Sequence, residues 1–333
     1  MASRKLTKQQ QSRISAKQSN DLVESGELEG LEQATLGLVI SHFGQQLEIE
    51  PLSILDSQSG YCPTVRCFQR SNLPQLVTGD RVRFSQNDDE TGVVLAVEPR
   101  RNEFLRPGFK GKLKPVAANI DKVILVVAVL PEPFTNLIDR YLTAIESLNL
   151  NVLIVFNKTD LIVDENRQHI DNMMAIYTKA GYDVIRVSAT DGAGIDQLEN
   201  ALAGQTTVLV GQSGVGKSSL VNRLGGNMIA DVGGLSIGKE KGTHTTTTAR
   251  LFHLNRFDVI DSPGIREFNL GHISNEQLIQ GYPELYMHAQ HCKFRDCSHR
   301  SEPECALQAA LSDGLISAER LSNYFQILAS QAE

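Results

Sequence analysis

A chain of 333 residues with 41% hydrophobic content can bury several cores, which predicts two or three folded domains. Its 32 basic residues against 39 acidic ones leave a formal charge of −7, which excludes a uniformly nucleic-acid-binding protein and makes any RNA contact local. The longest apolar run, VILVVAVL, is too short to cross a bilayer, and the opening MASRKLTKQQQSRISAKQSN lacks a signal peptide's apolar core. Those features predict a cytoplasmic location and no membrane partner.

Residues 1–32 are polar, basic at first and then acidic, and are expected to form a mobile arm. In residues 33–112, short β-rich runs (TLGLVIS, QQLEIEPL, TVRCF, DRVRFS, TGVVLAV) alternate with turn residues. Five short strands predict a small OB-like β-barrel, the SH3-like barrel being the alternative. A basic stretch, RRNEFLRPGFKGKLK, follows.

Over residues 113–271 the rhythm changes to long apolar strands separated by amphipathic helices: KVILVVAVL, NLIDRYLTAIESL, NVLIVF, DNMMAIYTKAG, DVIRVSA, GIDQLENALAG and TVLVG. That alternation predicts a parallel α/β sheet covered by helices. Strands stop after DSPGIREFNL, and residues 272–333 read as short helices around a Cys/His cluster. The fold class is therefore multidomain α/β, with a barrel, a nucleotide domain and a small helical metal-binding domain.

Within the α/β domain, NKTD comes first, at Asn157, Lys158, Thr159 and Asp160. The Asp160 carboxylate can accept two hydrogen bonds from guanine N1 and N2, donors that adenine lacks. Asn157 suits the O6/N7 side, and the Lys158 stem can lie against the ring. After the next strand, SAT begins with Ser188 and Ala189, where backbone N–H groups can meet O6.

The segment GQSGVGKS follows only then, with Gly211, Gln212, Ser213, Gly214, Val215, Gly216, Lys217 and Ser218 leading through Ser219 into a helix. It satisfies G-x-x-x-x-G-K-[ST] between a strand and a helix. Such a loop curls backbone N–H groups around phosphate oxygens, sets Lys217 on the β/γ-phosphates and offers the Ser218 hydroxyl to Mg²⁺. DVIDSPG then ends a strand at Asp261, a second Mg²⁺ residue, and Gly264 can sense the γ-phosphate.

Many GTPases place a glutamine after D-x-x-G to orient water, but here that position is Ile265, which has no polar group to offer. His244, in GTHTTTTARL, is the available polar candidate for that role. The expected catalytic set is His244, Lys217, Ser218, Asp261 and Gly264.

Cys292, Cys297, His299 and Cys305 have the spacing C-x4-C-x-H-x5-C, a donor set for one structural Zn²⁺; His288 and His291 stand near enough to be rival ligands. Cys62 and Cys67 have no further ligand near them and read as barrel residues.

The base-reading half of the site is encoded before the phosphate half, as if a GTPase had been cut after its switch II segment and its old ends joined. This circularly permuted order, with the barrel before it and CKFRDCSHRSEPEC after it, resembles the RsgA/YjeQ family of GTPases dependent on the small ribosomal subunit, over about residues 34–310. GTHTTTTARL and DSPGIREF carry the resemblance as well.

The resemblance implies GTP hydrolysis late in 30S subunit maturation, slow alone and stimulated by the subunit. It further implies a barrel and a zinc domain contacting the subunit's 16S rRNA, His299 as the fourth zinc ligand, His244 in catalysis and switch I threonines among Thr245, Thr246 and Thr247. GTP, GDP and the 30S subunit are the expected partners of a chain expected to be monomeric. The rival expectations are an RNA-binding protein that nucleotide regulates with negligible turnover, and a GTPase acting on other RNA machinery. DSPGIREFNLGHIS runs from switch II straight into the zinc segment, which predicts mechanical coupling between the two.

Overall fold

The structure, a computed structural model, describes residues 34–44, 46–52, 63–87, 91–107, 113–226, 249–261, 270–271 and 273–331. They form two compact units, one holding residues up to 76 with 80–99, the other holding 77–79 with residues from 100 on.

The first unit is built from β1 (Thr35–Phe43), β2 (Gln46–Pro51), β3 (Val65–Gln69), β4 (Arg81–Gln86) and β5 (Thr91–Val97). β1 pairs with β2, β2 with β3, β3 with β5, β5 with β4, and β4 returns to β1, so the five strands close with no free edge. Only the β3–β5 pair is parallel. Alternate residues point inward, as a period of two requires: Leu47 and Ile49, Val65 and Cys67, Val82 and Phe84 meet in one core with Val39, Leu76 and Val94. Cys67 is wholly buried there, and burial pushes its thiol up to about 12, an inert core residue. The expected OB-like barrel is therefore present. Cys62 lies outside the described residues.

In the second unit, β6 (Glu103–Pro107) and β7 (Leu113–Ala118) form an antiparallel hairpin where the sequence showed only a basic stretch. Two of its charges are already engaged: Arg100 pairs with Glu103 at 2.6 Å and Arg101 with Asp121 at 2.7 Å.

The main sheet of this unit contains β8 (Lys122–Ala128), β9 (Val152–Asn157), β10 (Asp183–Arg186), β11 (Thr206–Val210), β12 (Arg250–His253) and β13 (Asp258–Asp261), in the spatial order β10-β9-β8-β11-β13-β12. All neighbours are parallel except β12 and β13. The parallel strands β8, β9 and β11 are buried almost without interruption, which is why they read as unbroken apolar runs.

Helices α1 (Thr135–Glu146), α2 (Asp164–Lys179), α3 (Ile195–Leu202) and α4 (Lys217–Gly225) belong to this sheet. Leu198 and Leu202 of α3 and Leu220, Val221 and Leu224 of α4 share one core cluster with β8, β9 and β11. The C-terminal segment adds α5 (Asn275–Gln280), α6 (Pro283–Ala289), α7 (Ala306–Ser312) and α8 (Ala318–Ser330). Ser274 and Ser317 start α5 and α8 by accepting from the N–H groups of Gln277 and Arg320. No helix among the described residues is long and apolar enough to cross a membrane.

Candidate nucleotide site and metal centre

In open α/β sheets, ligands bind outside the carboxyl ends of the strands. Every described motif singled out in the α/β sequence sits at such an end: NKTD after β9, SAT after β10, the glycine-rich loop after β11, and Asp261 as the last residue of β13. Starting the count at β11 and continuing through β13 into β8, the spatial order reads 6-5-4-1-3-2. The reversed order of motifs thus changes the connections, while every described motif still lies at the carboxyl end of its strand.

The glycine-rich loop rises from β11 with Gly211, Gly214 and Gly216 all at positive φ. Gly216 is required twice over: its φ is +88°, and a Cβ there would lie 2.5 Å from Asn157 Nδ2. Lys217 opens α4, and its Nζ donates to the carbonyls of Gly211 at 2.6 Å and Gln212 at 2.7 Å, so its ammonium lies inside the curl of the loop. Ser218 and Ser219 follow in the first turn of the helix, whose N-terminus favours an anion.

NKTD is fastened to this loop by side chains. Asn157 is 1% exposed; its Nδ2 donates to Val215 O at 2.9 Å, and its Oδ1 accepts from Ala189 N at 3.3 Å, joining three loops through one amide. Lys158 has φ of +61°, and its Nζ donates to Gly214 O and to Leu130 O, both at 2.7 Å. Thr159 Oγ1 donates to Val187 O at 2.9 Å.

Asp160 stays exposed, and the buried Ser188 hydroxyl donates to its Oδ1 at 2.6 Å, orienting the carboxylate. Asp191 N donates to that same hydroxyl at 3.2 Å, bracing the turn. The Ala193 N–H, donating to Asp191 Oδ1 at 2.9 Å, holds the Asp191 carboxyl below its ordinary range.

Asp261 stands on a strand adjacent and parallel to β11, at the same edge as the glycine-rich loop. His244, Gly264, Ile265 and the threonines of GTHTTTT lie outside the described residues. Sequence reasoning missed the Leu130 carbonyl, because a backbone acceptor in LPEPF leaves no compositional trace.

In the C-terminal segment, one ligand atom from each of Cys292, Cys297, His299 and Cys305 falls within 4.8 Å of the others. Cys292 Sγ lies 3.4 Å from His299 Nδ1 and 4.0 Å from Cys305 Sγ, and Cys305 Sγ lies 3.7 Å from the same nitrogen. A tetrahedral zinc with bonds of about 2.3 Å to sulfur has ligand-to-ligand edges of roughly 3.8 Å, so this cluster has the dimensions to hold a metal ion. Burial lowers the His299 pKa, favouring the neutral imidazole that ligates metals.

The loop between His299 and Cys305 is organised by Glu302, which sequence reasoning passed over. It accepts from the Ser298 hydroxyl and from the N–H groups of Ser298 (2.8 Å), Arg300 (3.0 Å) and Ser301 (3.1 Å), and the Ser298 hydroxyl first, then the Ser298 and Ser301 N–H groups, hold its carboxyl down at about 2.

A G-x-x-x-x-G-K-S loop between strand and helix, an NKTD loop hydrogen-bonded to it, and their reversed order along the chain define a circularly permuted P-loop GTPase domain, here with an OB-like barrel and a Cys3His cluster. The RsgA GTPase family model matches residues 97–271, and the chain belongs to that family. It is 47% identical to the small ribosomal subunit biogenesis GTPase RsgA of Azotobacter vinelandii over 348 aligned positions, covering all of this chain and 99% of the relative. The protein of that name from Pseudomonas aeruginosa strain LESB58 is also 47% identical, with the same coverage.

Among solved structures, YjeQ from Thermotoga maritima is similar at a TM-score of 0.72 and 30% identity, over 90% of this chain and 99% of that one. YloQ, a circularly permuted GTPase, gives 0.70 and 25%, over 90% and 95%.

Proposed function

We propose that this chain hydrolyses GTP to GDP and phosphate, and that it does so on the small ribosomal subunit late in the subunit's maturation, with the subunit stimulating turnover. The observation behind this reading is the pairing of an exposed Asp160 carboxylate, oriented by Ser188, with a phosphate loop that Lys158 clamps to the same site. Asp160 selects guanine, the loop N–H groups and Lys217 hold the phosphates, and His244 positions the attacking water in place of the missing glutamine. Ser218 and Asp261 are the residues that would hold Mg²⁺, which supplies charge neutralisation at the phosphate oxygens when bound.

Relatives of near-identical length are named for small ribosomal subunit biogenesis, which supports the 30S subunit and its 16S rRNA as partners. Cys292, Cys297, His299 and Cys305 would hold one structural Zn²⁺, a closed donor set with no place for substrate. A cytoplasmic monomer is the form proposed to act, with the barrel and the C-terminal segment as its RNA contacts.

Subunit co-sedimentation tests this reading. Binding should be tight with a non-hydrolysable GTP analogue and weaker with GDP, because whichever state the subunit favours must favour the subunit by the same factor. Equal binding in the two nucleotide states, or none, contradicts it.

A further inference from the structure

The C-terminal helix α8 carries an arginine that is 1% exposed. Arg320 Nη1 donates to Asp139 Oδ1 on α1 at 2.6 Å, and its Nε and Nη2 donate to Glu284 on α6 at 2.8 and 2.9 Å. Asn323 donates to the second oxygen of Asp139 at 2.8 Å, which leaves that wholly buried carboxylate chelated by one helix. The guanidinium also lies 4.5 Å from the ring centre of Tyr282 and 5.6 Å from that of Tyr182. Buried ion pairs contribute little net stability; in this one the directional bonds tie α8 to α1 and α6 in one arrangement.

The register extends along α1. At its start, Thr135 donates to Glu319 at 2.5 Å and Asn136 to Gln326 at 3.2 Å; in its middle, Arg140 donates to Ser330 at 3.0 Å. Near its end the backbone of Gly281 abuts Thr143, where a Cβ would sit 2.6 Å from Cγ2 and 2.9 Å from Cα.

Both ends of this assembly lead to sites already described. At one, Arg300 of the Cys/His loop stacks on Phe325 of α8 at 4.6 Å. At the other, α1 begins directly after the turn containing Leu130, whose carbonyl takes one bond from Lys158 while Gly214 of the phosphate loop takes another.

We propose that Arg320 and Asp139 are positioning residues of the nucleotide site. Helix α8 sets α1, α1 sets the Leu130 carbonyl, and that carbonyl sets the Lys158 clamp across the phosphate loop. The Cys/His segment thereby governs how long guanine nucleotide stays bound, by a route separate from the switch II connection. This inference rests on the chain binding guanine nucleotide as proposed above.

The test is stopped-flow release of fluorescent N-methylanthraniloyl-GDP from the full chain, measured alongside unstimulated turnover of saturating GTP. Asp139→Asn keeps the side chain's shape but weakens the chelate. It should release GDP about two- to thirtyfold faster, the range given by substitutions along packed networks, with kcat unchanged. Glu319→Ala, at an exposed rim position with no buried charge to strand, should speed release about twofold.

Circular dichroism and metal content matching the parent establish folding, and if Asp139→Asn fails there, Glu319→Ala decides the matter. Unaltered release from the folded variants, or a fall in kcat without a change in release, overturns the inference. A parent chain that binds no GDP refutes the nucleotide-site reading instead.

Discussion

Replacing Asn157 by alanine separates bracing from reading. The substitution removes the donor to Val215 O and the acceptor for Ala189 N, at 2.9 and 3.3 Å. Val215 is 3% exposed, so its carbonyl loses its partner in a dry place, at a cost of about 1–3 kcal/mol; Ala189 is half-buried, and its N–H can turn to water more cheaply. Without nucleotide the three loops can relax and solvate these groups, but binding forces them back together, so the penalty appears as lost affinity. About 2 kcal/mol is expected, which is roughly thirtyfold in Kd.

GDP and XDP should weaken alike, because their difference lies at the N1/N2 edge, which the proposed function assigns to Asp160. Equilibrium titration of fluorescent GDP, with unlabelled GDP and XDP as competitors, measures both quantities. An affinity within about twofold of the parent, or a changed GDP to XDP ratio, refutes the assignment of Asn157 as a brace.

Asp160→Asn should do the reverse, weakening GTP and moving preference toward XTP in the same competition assay. His244→Ala should lower subunit-stimulated turnover by about ten- to a thousandfold while nucleotide affinity, followed by titration, stays near that of the parent. Mass spectrometry of the parent should find one zinc per chain; Cys297→Ser should abolish it and should disorder the C-terminal segment in hydrogen exchange without unfolding the sheet.

Periodicity and local motifs made most of this fold legible. The buried strands announce themselves as VILVVA and VLIVF because both faces of a parallel sheet are covered. The barrel strands do so by alternation, since only one face of each looks inward. NKTD and GQSGVGKS were legible as a candidate site because each motif is confined to one short loop.

Features made by long-range partners left no such trace. In AERLSNYFQILAS, Arg320 looks like any solvated helical charge, and its burial depends on Asp139, which lies 181 residues earlier. The hairpin of β6 and β7 was hidden by its basic, glycine- and proline-containing sequence, whose pairing depends on register rather than on an apolar pattern. Asn157 illustrates a third limit: its residue type suits both a base reader and a loop brace, and only the positions of Val215 and Ala189 show the second role.

Single-turnover hydrolysis of γ-labelled GTP by the purified full chain, with and without purified small ribosomal subunits, tests the proposed function most directly. Slow cleavage by the chain alone, strong acceleration by the subunit, and loss of that acceleration in His244→Ala are the predicted results. Cleavage unaffected by the subunit, or no cleavage beyond the uncatalysed rate in its presence, contradicts the account.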